Sequence, residues 1–88
     1  MLIQVRRTGG FAGIERTSEV DTAGRPDADA WHDLAGRAVA ECRETRPIGV
    51  PDGFAYEITV DGRTVYCADP RLTDAQRRLI SRVLKEGA

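Results

Sequence analysis

Residues 54–67 read FAYEITVDGRTVYC, and the fold follows from how this stretch is read. Phe54, Tyr56, Ile58 and Val60 alternate with Ala55, Glu57 and Thr59, the two-residue period of a strand with one apolar face. Asp61-Gly62 then supplies two residues that accept positive φ in a type I′ turn, so Arg63 to Cys67 returns in a defined register. That register sets Ile58 opposite Val65 and Tyr56 opposite Cys67, with both pairs on the core face. Spacing alone therefore predicts an antiparallel hairpin with a known inner surface.

Downstream of the hairpin, Thr73 and Gln76 have the spacing of a capping box. Leu72, Ala75, Leu79, Ile80, Val83 and Leu84 continue it as an apolar stripe running toward Lys85 and Gly87, which predicts a C-terminal helix. Upstream, Ile48 to Gly53 is rich in turn residues and delivers the chain into Phe54. Before it, Asp27 is the expected N-cap of a helix that starts at Ala28. Trp31, Leu34, Ala35, Ala38, Val39 and Cys42 form its buried stripe, and Arg46-Pro47 is expected to close it.

The N-terminal part repeats the order of elements without repeating the sequence. Leu2 to Thr8 reads as a strand with Ile3 and Val5 on one side and Gln4 and Arg6 on the other. The three glycines of Gly9-Gly10-Phe11-Ala12-Gly13 permit a tight reversal, and Ile14 to Asp21 is the return strand. Its outward residues, Glu15, Thr17, Glu19 and Asp21, would place acids against the arginines of the first strand. The expectation is an α+β fold in ββαββα order: a four-stranded, mainly antiparallel sheet with two helices on one face.

The chain has 88 residues, 41% hydrophobic and 31% charged, with a formal net charge of −1. A second core would need at least about 40 residues of its own without metal or disulfide help, so a single domain over residues 1–88 is expected. Acids and arginines are interspersed, and no basic stripe marks a nucleic-acid track. Met1 to Val5 runs directly into Arg6 and Arg7 without an export h-region, and no run approaches the ~20 apolar residues of a membrane span. The expected setting is the cytoplasm, where Cys42 and Cys67 would be buried free thiols; an internal disulfide is the alternative.

Catalytic chemistry finds little support. His32 falls off the Trp31 stripe and has no nucleophile beside it, and one His with two distant Cys does not make a four-ligand metal site, so no metal or cofactor is expected. Gly9-Gly10-x-x-Gly13 resembles a phosphate cradle only superficially, because a strand follows it where a helix N-terminus is required. Phe11 is the unusual residue. It occupies a turn where Asn, Asp or Ser would be ordinary, so it either folds back onto the core or is an aromatic anchor for a partner.

Thr8-Gly9-Gly10-Phe11-Ala12-Gly13-Ile14 resembles the S/T-G-G-F-A-G-I opening of the emfourin family, small bacterial inhibitors of thermolysin-like metallopeptidases such as protealysin. Glu19-Val20-Asp21, the Trp31 helix, Pro51-Asp52-Gly53-Phe54-x-Tyr56, Val60-Asp61-Gly62 and the Leu72-Thr73 helix follow in the same order. The resemblance implies a cytoplasmic, cystatin-like protein inhibitor whose partner is a thermolysin-like zinc metallopeptidase; a monomer is expected. Gly9, Gly10, Phe11, Ala12, Gly13 and Asp52 are the candidate contact residues, with Phe11 suited to the pocket just past the scissile bond. An adaptor that binds another protein through its outer sheet face is the competing reading, and a small enzyme is third.

Overall fold

The computed structural model describes residues 1–9, 15–45, 53–69 and 71–87. The hairpin forms as its spacing predicts, from β3 (Phe54–Val60) and β4 (Arg63–Ala68), with Ile58 opposite Val65 and Tyr56 opposite Cys67. Asp61 and Gly62 take φ of 49° and 87°, the left-handed values that a type I′ turn requires. Asp61 also holds a neighbour: its backbone N–H donates to Leu2 O at 3.0 Å, and its carboxylate accepts from Leu2 N at 2.9 Å. The hairpin turn thereby aligns β1 (Leu2–Gly9) along β3.

With β2 (Arg16–Asp21) on its other side, β1 is central, and the strand order is β2-β1-β3-β4 with every pair antiparallel. The helices α1 (Ala28–Ala40) and α2 (Asp74–Glu86) complete the ββαββα order. Ile3, Val5, Val20, Tyr56, Ile58, Val65 and Cys67 line one sheet face and join Trp31, Ala35, Ala38, Leu79, Ile80 and Val83 of the helices in a single core. The opposite face carries Gln4, Arg6, Thr17, Glu19, Glu57 and Thr59.

The α2 capping box is present: Thr73 Oγ1 accepts from Gln76 N at 3.2 Å, and Gln76 Oε1 accepts from Thr73 N at 3.0 Å. Gln76 is itself buried, and its amide Nε2 donates to Ala38 O at 3.4 Å and Cys42 Sγ at 3.3 Å, fastening the end of α1 to the start of α2. That end comes earlier than Arg46-Pro47 suggests. The helix stops at Ala40 because Arg43 pairs with Tyr66 on the edge of β4, and a chain committed to that bridge cannot continue the helical ladder.

Asp27 precedes α1 as expected but makes no side-chain cap. Its carboxylate is taken by stronger donors: Trp31 Nε1 at 3.2 Å, Arg82 at 3.1 Å and Arg25 at 3.3 Å. The guanidinium of Arg82 lies 4.1 Å from the Trp31 ring centroid and that of Arg25 lies 5.5 Å from it, so the fully buried indole is bracketed by cations that share one acid. Both arginines also reach Glu86, at 3.1 Å and 3.2 Å. His32 is exposed, as its position predicts, and its Nε2 meets Thr22 Oγ1 at 3.0 Å.

Partial desolvation works against ionisation of Asp27, but Arg25 and the hydrogen bond from Arg82 outweigh it and hold its pKa below the ordinary 3.8. A depressed carboxyl stabilises the fold fully above its unfolded-state value, and that contribution is lost as pH falls through the folded-state value. Asp27→Asn should therefore lower the thermal midpoint at neutral pH by more than Asp33→Asn, which removes only a pair with the exposed Arg37. The gap between parent and Asp27→Asn should narrow as pH drops below 3.8. Thermal melts across that range check it; a gap independent of pH would count against the ionic role.

Candidate functional site

At one end of the sheet the register places Gly9 opposite Phe54 and Ala55 opposite Ala68. Three stretches of chain therefore leave the same end: the one after Gly9, the one before Phe54 and the one after Ala68. Gly9 has φ of 102°, and a Cβ there would come within 3.0 Å of Gly53 O. At Gly53 a Cβ would lie 2.8 Å from Asp69 Cβ. Asp69 closes the block by donating its N–H to Phe54 O at 2.9 Å and accepting from Phe54 N at 3.3 Å.

Arg6 and Arg7 divide between the faces. Arg6 points outward and forms a two-point ion pair with Glu15, plus a contact to Glu57 at 3.5 Å. The hydrogen bond from Arg6 holds the Glu15 carboxyl below the usual range against partial desolvation. Arg7 departs from the expected pairing with the acids of β2. It continues the inward alternation of Ile3 and Val5, so its guanidinium lies 4.3 Å from the Phe54 ring centroid, on the side away from those acids. Phe54 in turn meets Tyr56, with ring centroids 6.5 Å apart and tilted by 56°. Burial, reinforced by Asp69, pushes the Tyr56 hydroxyl up, so it remains a neutral phenol.

Of the candidate contact residues, Gly9 lies in the base of this block, where its positive φ carries the chain out of β1. Gly10, Phe11, Ala12, Gly13 and Asp52 lie outside the described residues. Both ends of the 10–14 stretch are nonetheless anchored, Gly9 against Gly53 and Glu15 by Arg6. The sequence reading missed Arg7, Phe54 and Asp69 as a supporting base. The signal for Arg7 was available: extending the Ile3, Val5 alternation by two residues turns it inward.

The family whose sequence model is described as Emfourin matches residues 5–84. The chain belongs to the emfourin family. Neither the curated proteins nor the solved structures contain a match. Membership carries the general role of the emfourins, protease inhibition, and is consistent with a chain that binds without catalysing. Among the described residues no group of three or more His, Cys, Asp and Glu could hold a metal ion, and no helix is long and apolar enough to cross a membrane.

The contact at Gly53 yields a direct test. Gly53→Val drives a side chain into Asp69 and should cost about 1–3 kcal/mol, as overpacking does. It should lower the denaturation midpoint more than Asp52→Ala does. Equal midpoints for the two variants would remove the close approach as a constraint.

Proposed function

We propose that this emfourin is a reversible, non-covalent inhibitor of thermolysin-like zinc metallopeptidases that blocks the active-site cleft with its glycine-rich 10–14 stretch. The observation that carries the reading is the Gly9–Phe54 register, because it sets the start of the 10–14 stretch beside the end of the 46–52 stretch. In this reading Phe11 fills the pocket just past the scissile bond, and Asp52 contributes from the neighbouring stretch. A base of strands fixed by Gly9, Gly53, Asp69 and the Arg6–Glu15 pair limits the freedom left to lose on docking. No activated nucleophile is required, since occluding the cleft suffices, and dilution should return activity.

The decisive experiment measures Phe11→Ala twice, once for inhibition of peptide cleavage by a thermolysin-like protease and once for its denaturation midpoint. A pocket-filling Phe11 predicts inhibition weaker by about 2 kcal/mol, roughly 30-fold, with the midpoint preserved. A Phe11 that plugs the core predicts instead a stability loss of about 3–5 kcal/mol. A stable variant that inhibits as well as the parent would overturn the contact and move attention to the outer sheet face.

A further inference from the structure

Cys42 and Cys67 are separated in sequence, yet the fold sets them against each other. Arg43 and Tyr66 form an antiparallel bridge in which each backbone N–H donates to the other's carbonyl, at 2.9 Å and 2.7 Å. A pair that exchanges both bonds is flanked by a non-hydrogen-bonded pair, whose Cα atoms lie about 4.5 Å apart. One step along this bridge, that flanking pair is Cys42 and Cys67. Such a separation falls within the range of about 4.4–6.8 Å that a disulfide spans. Both cysteines are free thiols, and their sulfurs are in hydrogen-bond contact.

Their surroundings distinguish them. Cys42 is half-buried, donates its S–H to Ala38 O at 3.1 Å and receives an N–H from Gln76 at 3.3 Å. Its bond with Cys67, helped by the Gln76 amide, lowers its pKa despite desolvation. Cys67 is buried; the bond to Cys42, then burial, push its thiol up, so it keeps its proton. A groove of about 260 Å³ lined by Glu41, Arg43, Tyr66, Asp69 and Gln76 reaches Cys67 from outside. The groove touches Cys67 and not Cys42, but Cys42 is itself partly exposed, so a small oxidant can meet its sulfur while the buried Cys67 is held beside it.

We propose that Cys42 and Cys67 form a reversible oxidation site, at which a small hydroperoxide converts the two thiols into an intramolecular disulfide. Cys42 gives its proton to solvent and the thiolate attacks the terminal peroxide oxygen; the O–O bond breaks, the sulfenic acid forms, and the alkoxide or hydroxide leaves, taking up a proton from solvent as the alcohol or water. Cys67 sulfur then attacks the sulfenic sulfur; the S–S bond forms, and hydroxide leaves with the Cys67 proton as water. Two electrons pass from the sulfurs to the peroxide. The new bond ties the end of α1 to β4 and restricts the unfolded chain, so the oxidised form should be the more stable one.

The test treats the reduced full-length chain with hydrogen peroxide, followed by alkylation under denaturing conditions and intact mass. The expected product is monomeric, lighter by two hydrogens, inert to alkylation and restored by dithiothreitol, with a thermal midpoint higher by roughly 10 °C. Cys42→Ala should abolish it. Cys67→Ala, if it folds, should leave a sulfenic acid on Cys42 that a dione reagent traps. Sulfinic or sulfonic acids without an S–S bond, a bond between two chains, thiols that stay alkylatable, or a disulfide that lowers the midpoint would each overturn the proposal.

Discussion

β1 runs along β3 from Ile3 opposite Val60 to Gly9 opposite Phe54, and the pairing is pinned at its start by Asp61, which bonds Leu2 through both backbone and carboxylate. The same pairing governs both ends of the sheet. Because the register at the Asp61 end determines the register at Gly9, a slip of one residue would turn Ile3 and Val5 outward and carry Gly9 away from Gly53. Core formation and the placement of the candidate contact stretches are therefore one event. The register that turns Ile3 and Val5 into the core is the one that sets Gly9 beside Gly53.

The helices are held over this sheet by polar fasteners as well as by burial. At one end of their interface Asp27, Arg25, Arg82 and Glu86 enclose Trp31, and at the other Gln76 bridges Thr73, Ala38 and Cys42. A Trp that buries about 150–250 Å² contributes several kcal/mol, but the contact has no preferred angle of its own. Directional hydrogen bonds at both ends select one helix packing from those that a smooth apolar stripe would permit. Arg16 adds a further tie, donating to Leu84 O at 2.6 Å and joining β2 to the last turn of α2.

How much of this could be read from the chain depends on the range of the interaction. The β3–β4 register was legible because Asp61-Gly62 sets it locally, and the capping box at Thr73 was legible because both partners lie within one turn. Helix stripes and the inward Ile3, Val5 pair followed from period. Strand order did not, since nothing in the spacing says that β1 joins β3 as well as β2. Asp27 looks like a cap because its partner Arg82 lies 55 positions away, and Arg46-Pro47 overstates the length of α1 because the Arg43–Tyr66 bridge that ends it is also non-local. The candidate contact residues were chosen from a motif, whereas the base beneath them, Arg7, Phe54 and Asp69, is assembled by the sheet.

That division has a physical consequence for the proposed inhibitor. A contact stretch is rewarded for fitting its partner, but its sequence is not what holds it in place. Here the holding is done by groups outside the 10–14 stretch: Arg7 against Phe54 on the core face, Asp69 bonded to the Phe54 backbone, and Arg6, which pairs with Glu15 on the outer face. Of these groups, Arg7 is the most exacting, because its buried Nε has no hydrogen-bond partner among the described residues. Leaving a guanidinium nitrogen desolvated is costly, and the cation's contact with the Phe54 ring only partly offsets that cost. A hydrophobic residue would pack there more cheaply. What Arg7 adds is a cation held over the ring of Phe54, the first residue of β3, so that β1 and β3 are tied by side chains as well as by backbone at the end of the sheet where the proposed contact begins.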